Sequence, residues 1–178
     1  DGVDLFVRAA ASVLQARPGA VRFVAMGGGN QLDALRELAS ELGLSGEDMA
    51  FTGRIPDEEV RQVLSTADVA VSPDPANDFN EYCTMNKTLE YMAVGVPVVA
   101  FDLEETRVSA GDAAVYAAPN DPDQLSARIV ELLDDPARRA EMGRLGQERV
   151  RGPLSWEVSA ANLRAAYEAA LQHRGASD

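Results

Sequence analysis

Short apolar runs without polar alternation recur along the chain, and each is followed by a segment with helical periodicity. The clearest run is Val-Pro-Val-Val-Ala at residues 96–100. A strand of this kind is buried on both faces, as in a parallel sheet that is covered by crossover helices. The pattern therefore predicts an α/β fold with a doubly wound parallel sheet.

The alternation of the two patterns predicts the elements in order. We expect strands at residues 21–26, 49–52, 68–72, 96–101 and 113–116. We expect helices at residues 3–16, 32–42, 56–66, 85–94, 104–109, 122–134, 136–150 and 155–172. Because no internal repeat, linker or low-complexity segment interrupts this order, residues 1–178 are expected to form one domain.

Composition excludes several classes of function. The 29 acidic and 16 basic residues give a net charge of -13, so the average surface repels nucleic acids and anionic lipids. Cys83 and His173 are the only residues of their types, which excludes a disulfide within the chain and a Cys/His zinc cluster. No apolar run approaches the roughly 20 residues that a membrane span needs, and no signal-peptide pattern opens the chain. We expect a cytoplasmic protein without a metal cofactor.

Two loops that follow strands are candidate ligand sites. Gly27–Gly29 could bring backbone N–H groups close to a phosphate, although a tight turn explains these glycines equally well. Arg54 and Ile55 follow the second strand, and arginine is well shaped for contacts with phosphate. The alternative for Arg54 is a surface ion pair with Asp57 or Glu58.

The strongest candidate is the loop at residues 72–86 together with the helix that follows it. Thr84 is expected to cap a helix that starts near Met85, which leaves free N–H groups for an anion. Lys87 is the only lysine beside fifteen arginines, and Glu90 lies one turn further on the same helix face. Glu90 would then reach sugar hydroxyls next to a phosphate. The alternative is a loop that covers a core helix bearing a Lys87/Glu90 surface pair.

The order of these motifs resembles the C-terminal half of GT-B glycosyltransferases of family four (group 1). The motifs are the glycine turn, Phe-Thr-Gly-Arg-Ile at 51–55, the Ser-Pro loop, Glu-Tyr-Met-Ala-Val-Gly-Val-Pro-Val-Val at 90–99, Ala-Pro-Asn-Asp-Pro at 118–122 and Ser-Trp at 155–156. The resemblance implies a Rossmann-like, nucleotide-sugar-binding domain of a retaining hexosyltransferase. The expected partner is a nucleotide-diphosphate sugar donor, with no metal or other cofactor.

The resemblance also implies roles for individual residues. Lys87 and Arg54 are expected to be catalytic, because they would stabilise the charge of the leaving diphosphate. The expected substrate-binding residues are Glu90 for ribose, Glu81 for the donor hexose, Ile55 with Arg54 for the base, Thr84, Met85 and Asn86 for the diphosphate, and Gly28 in the glycine turn. Glu81 departs from the family spacing, since it lies nine residues before Glu90 instead of eight.

The resemblance further implies that parts of the enzyme are missing. It places an acceptor-binding N-terminal domain and a central strand ahead of Asp1, so the chain is expected to be inactive alone. Any peripheral membrane association would come only through that missing half. Residues 153–173 are expected to form a closing helix that packs towards the N-terminal domain in full-length relatives. Part of its apolar face is therefore expected to be uncovered here or buried in a neighbouring molecule, and the alternative is a helix packed wholly on its own sheet. The apolar residues before or on this helix are Pro153, Trp156, Val158, Leu163 and Tyr167.

The missing central strand would separate the strands at 21–26 and 68–72. We expect these strands either to pair directly or to accept a foreign strand, and we favour the second outcome. Two alternative functions remain open at this point: another GT-B sugar-nucleotide enzyme, such as an epimerase, and a non-catalytic α/β binding module.

Overall fold

The computed structural model describes the backbone of residues 1–175 and the side chains of residues 1–171. The side chain of His173 therefore lies outside the described part. The strands are β1 (Phe23–Met26), β2 (Met49–Gly53), β3 (Ala70–Ser72), β4 (Val98–Phe101) and β5 (Ala114–Ala117). The helices are α1 (Val3–Ala16), α2 (Leu32–Glu41), α3 (Asp57–Ser65), α4 (Asn86–Val94), α5 (Glu104–Ala110), α6 (Pro122–Leu133), α7 (Pro136–Arg151) and α8 (Trp156–Gly175). Short 3-10 turns lie at Asn80–Tyr82 and Gly111–Ala113.

These elements confirm the predicted order of strands and helices, with shifts of a few residues at their ends. Local chemistry explains several of the boundaries. The side chain of Asp121 accepts hydrogen bonds from the N–H groups of Asp123 and Gln124 at the start of α6. Gly95 ends α4 in a left-handed conformation with φ at 80°, which glycine adopts without strain.

Strand β4 is buried on both faces, as its sequence predicted. Val99 and Phe101 pack into one apolar cluster with residues of α1 and α6, such as Val7 and Leu125. Val98 and Ala100 pack into a second cluster, which includes Met92 of α4. Helices therefore cover both faces of this sheet, which confirms the doubly wound α/β class.

The strands form two separate parallel sheets. One contains β1 and β2, and the other has the order β3-β4-β5. No hydrogen bond joins β1 to β3 within residues 1–175, so these strands do not pair directly. The acceptance of a foreign strand between them stays a prediction.

A cleft of about 800 Å³ lies between β1 and β3. It follows the length of both strands, from Arg22 and Asp68 at their amino ends to Gly27 and Pro73 at their carboxyl ends. Most of its lining is apolar, including Phe6, Phe23, Val24, Val60, Val69, Val71 and Ile129. The cleft therefore joins the inner edges of the two sheets to the sheet edge at which ligands of α/β proteins bind.

Helix α8 exposes most of its described side chains to solvent. Trp156 is 74% exposed and Tyr167 is 65% exposed, and Val158, Leu163 and Pro153 are exposed as well. This confirms the expectation that apolar side chains before and on the last helix are uncovered in this chain, whereas packing of this helix towards an N-terminal domain stays a prediction. None of the helices described here has the length and apolar character needed to cross a membrane.

Candidate functional site

Four of the predicted site residues line the cleft. Arg54 and Ile55 reach it from the loop after β2, whereas Lys87 and Glu90 reach it from the first turns of α4. The parallel strands bring these loops and helix starts to the same end of the fold. A cationic pair, one carboxylate and one aliphatic side chain therefore lie around one cleft.

Three glycines lie in or beside the loop that presents Arg54. Gly53 has φ at 67°, and its carbonyl oxygen accepts a 3.0 Å hydrogen bond from the N–H of Gly27. Gly28 lies beside this loop, where an added Cβ would be 3.7 Å from the backbone nitrogen of Arg54. The predicted glycine turn therefore borders the cleft through Gly27 and lies next to the Arg54 loop through Gly28.

The guanidinium of Arg54 is exposed and available to a ligand. No carboxylate within residues 1–171 lies within 4 Å of it, and Glu58 pairs with Arg61 at 2.7 Å instead. The surface ion pair that the sequence offered as an alternative is therefore absent from the described part.

The start of α4 differs from its predicted form. Met85 occupies the N-cap position, and no side chain caps the helix. The hydroxyl of Thr84 instead donates a 2.7 Å hydrogen bond to Glu105 Oε1, so the prediction that Thr84 caps α4 is wrong. The reason is tertiary, because α5 places a carboxylate within reach of that hydroxyl. In the described residues the backbone N–H groups of Asn86 and Lys87 have no hydrogen-bond acceptor, so they are free to bind an anion.

Lys87 is held from the protein side by a buried carboxylate. Its Nζ lies 2.7 Å from Oδ1 of Asp74, whose side chain is only 4% exposed, whereas that of Lys87 is 28% exposed. Asp1 is a more distant second carboxylate, at 3.9 Å. The predicted alternative of a Lys87/Glu90 surface pair is wrong, because Asp74 takes the place of Glu90.

The carboxylate of Glu90 is exposed and has no hydrogen-bond or ion-pair partner among the described side chains. Tyr91 follows it on α4 and also lines the cleft. Burial, together with the charges of Asp74 and Glu90, raises the pKa of Tyr91 to about 12. The phenol of Tyr91 is therefore neutral at physiological pH where it lines the cleft, and the carboxylate of Glu90 is free to accept hydrogen bonds from a ligand there.

The remaining predicted site residues lie outside the lining of the cleft. They are Glu81, Thr84, Met85, Asn86 and Gly28. Glu81 Oε2 accepts a 3.1 Å hydrogen bond from the N–H of Glu104, so this side chain anchors the start of α5. In residues 1–171, no group of three or more His, Cys, Asp and Glu side chains is arranged to hold a metal ion.

Sequence reasoning missed Asp74 as a member of the site. A local signal was present, because Pro73 and Pro75 flank Asp74 and restrict the backbone on both sides of it. A restricted acidic residue at the carboxyl end of a strand is a reasonable candidate for a positioned group. Its partner Lys87 lies thirteen residues away, which the local pattern does not reveal.

The chain matches known glycosyltransferases in sequence and in structure. Residues 1–135 match the family model described as glycosyl transferases group 1. A GDP-mannose-dependent monoacylated alpha-(1-6)-phosphatidylinositol monomannoside mannosyltransferase of Corynebacterium glutamicum is 32% identical over an alignment of 167 residues, and the alignment covers 91% of this chain and 42% of that protein.

Solved structures agree on the fold. Sucrose-phosphate synthase of Thermosynechococcus elongatus superposes with a TM-score of 0.81 at 24% identity, over 97% of this chain and 43% of that one. The C-terminal domain of a glycosyl transferase group 1 family protein of Francisella tularensis superposes with a TM-score of 0.71 at 21% identity, over 87% of this chain and 80% of that domain.

The chain spans about two fifths of the mannosyltransferase and of the synthase. These structural likenesses confirm the expectation of one half of a GT-B fold. The family model covers three quarters of the chain, including the glycine turn, the Arg54 loop and α4. This chain therefore belongs to the group 1 glycosyltransferases.

Proposed function

We propose that this chain is the donor-binding domain of a retaining glycosyltransferase that transfers a hexosyl group from a nucleotide-diphosphate sugar. The observation that carries this proposal is that Arg54, Lys87 and Glu90 line the same cleft, on the side of the fold where the parallel strands end. Ligands of open α/β sheets bind at this edge. Membership in the group 1 family supports the same reaction class.

The nucleoside would contact the cleft through Glu90 and the Arg54 loop. A carboxylate accepts two hydrogen bonds at once, so Glu90 would bind the two hydroxyls of ribose. Ile55 and Arg54 offer an aliphatic surface and a planar cation to the base. The free state of the Glu90 carboxylate favours this assignment, since binding breaks no existing ion pair.

The diphosphate would lie at the start of α4. The ammonium of Lys87 and the guanidinium of Arg54 would bind the phosphate oxygens. The unpaired N–H groups of Asn86 and Lys87 would donate hydrogen bonds to them, and Thr84 and Met85 would lie beside these groups. As the bond to the hexose breaks, negative charge grows on the leaving diphosphate, and these groups would stabilise it. The proposal includes no metal ion, because the protein's own cations and amides supply the positive charge.

One carboxylate oxygen of Glu81 would be available to the donor. Its Oε2 is engaged with the N–H of Glu104, which leaves Oε1 for a hydroxyl of the donor hexose. The acceptor-binding domain lies outside residues 1–178 in this proposal, so transfer would require that second half. We propose a cytoplasmic location because nucleotide sugars are the donor.

The relative from Corynebacterium glutamicum is named as GDP-mannose-dependent, so GDP is our first choice of probe. Isothermal titration calorimetry of this chain with GDP and UDP tests donor binding. Glu90→Gln keeps the shape of the side chain and removes its charge, so it should weaken GDP binding by about 1–3 kcal/mol. Glu37→Gln on α2 is the matched control and should leave binding unchanged.

Two results would contradict the proposal. If the chain binds neither GDP nor UDP even when it is joined to an acceptor-binding domain, a non-catalytic α/β module becomes the better description. If it binds GDP with equal affinity before and after Glu90→Gln, the ribose assignment is wrong.

A further inference from the structure

The ion pair between Asp74 and Lys87 is part of a buried polar network. Oδ1 of Asp74 accepts from Lys87 Nζ at 2.7 Å, and Oδ2 accepts from the hydroxyl of Ser72 at 2.8 Å. The hydroxyl of Thr88 donates in turn to Ser72 Oγ at 3.2 Å. Ser72, Asp74 and Thr88 are each at most 3% exposed. Both oxygens of the carboxylate therefore have partners, and both partners hold it in place.

Stability alone explains this network poorly. Burying a carboxylate and an ammonium costs desolvation energy, and apolar residues of similar size would often stabilise a fold equally well or better. The pair also joins a restricted group to a flexible one. Pro75 restricts the backbone of Asp74, which precedes it, whereas Lys87 has a flexible four-carbon stem. The network therefore fixes the end of a side chain that would otherwise sample many rotamers.

The two members of the ion pair differ in their exposure to the cleft. Asp74 lies on the protein side, whereas Lys87 is partly exposed and lines the cleft beside Glu90. An ammonium has three donors, and within residues 1–171 one of them is used at short range by Asp74. The others remain available to oxygen atoms of a ligand in the cleft. Holding the ammonium before the ligand arrives reduces the entropy lost on binding.

We propose that Asp74 is a positioning residue that fixes the ammonium of Lys87 for the diphosphate of the donor. This inference rests on the proposed function, and it adds a residue to which the sequence pattern gave no role. Asp74 acts through Lys87 and does not touch the ligand. Its effect is therefore confined to the phosphate part of the ligand.

The test compares GDP with guanosine, which lacks the phosphates. Asp74→Asn keeps the size of the side chain and one acceptor oxygen, but it removes the charge that holds Lys87. We expect the dissociation constant for GDP to rise roughly tenfold while that for guanosine stays unchanged, as loss of one charge-assisted contact predicts. If Asp74→Asn still folds and both constants rise by the same factor, the proposal is overturned.

A double-mutant cycle tests whether Asp74 acts through Lys87. In a Lys87→Gln background, Asp74→Asn should cause no further loss of GDP affinity. An equal loss of GDP affinity in the wild-type and Lys87→Gln backgrounds would contradict the positioning role. Tighter GDP binding by Asp74→Asn alone would also contradict it, because it would show that Asp74 masks the charge of Lys87.

One further variant, Ser72→Ala, keeps the outcome interpretable. Ser72→Ala retains the charge of Asp74 but removes the hydrogen bond to one of its oxygens. It should therefore also raise the dissociation constant for GDP, by a smaller factor than Asp74→Asn does. This variant tests the proposal even if Asp74→Asn does not fold. If Lys87→Gln weakens GDP binding and both Asp74→Asn and Ser72→Ala do not, only the role of Asp74 is overturned. If Lys87→Gln and Glu90→Gln both leave GDP binding unchanged, the proposed function is overturned as well.

Discussion

Gly143 of α7 packs directly against the backbone of Gly95 at the end of α4, and a Cβ added to Gly143 would overlap the carbonyl oxygen of Gly95. Met92 makes a similar close approach to Gly146, one turn further along α7. Helix α7 therefore supports the helix that carries Lys87 and Glu90, at a distance that only glycine permits.

Gly143→Ala should lower the free energy of unfolding by about 1–3 kcal/mol, because the backbone of Gly95 cannot move away cheaply. Urea denaturation measures the change. Gly46→Ala is the control, since nothing lies within 4 Å of its added Cβ, and its effect should be close to zero. Equal effects of the two substitutions would show that α4 and α7 can separate without cost.

The exposure of α8 predicts that its apolar residues contribute little to the stability of this chain. Leu163→Ser should change the free energy of unfolding by less than about 0.5 kcal/mol. Leu125→Ala on α6 is the comparison, because Leu125 is fully buried and its truncation should cost about 2–5 kcal/mol. A large loss with Leu163→Ser would mean that α8 packs on the domain in solution.

The separation of β1 and β3 predicts that the cleft accepts a β-strand. An apolar segment of about five residues joined ahead of Asp1 should pair with both inner edges, because buried backbone groups without partners are costly. Hydrogen exchange should slow at the amides of β1 and β3, and the melting temperature should rise. A segment of the same length with a central proline should fail to do this, and equal behaviour of the two segments would refute the prediction.

The raised pKa of Tyr91 predicts a loss of stability at alkaline pH. The phenol has an ordinary pKa of 10 and a pKa of about 12 in the fold, so its contribution is complete below pH 10 and is lost as the pH rises to about 12. In Tyr91→Phe, the free energy of unfolding should therefore fall less between pH 10 and about pH 12. Absorbance of the tyrosinate should show one fewer late-titrating group in this variant, and an unchanged titration curve would contradict the assignment.

The sequence by itself determined the elements and the layers of the fold. The apolar run at residues 96–100 predicted a strand covered on both faces, and β4 confirms this because its alternate residues enter two different apolar clusters. Periodicity is a property of neighbouring residues, so it can be recognised without knowing the fold. The placement of Lys87 and Glu90 on one face of α4 was likewise a local inference.

Only the tertiary structure decided which side chains meet across the fold. Thr84 turned away from the start of α4 because α5 places Glu105 within reach, twenty-one residues later. Lys87 forms its ion pair with Asp74 and not with Glu90, because the chain at the end of β3 passes beside α4. Contacts of this kind depend on how distant elements pack, and a periodic pattern holds no information about that packing.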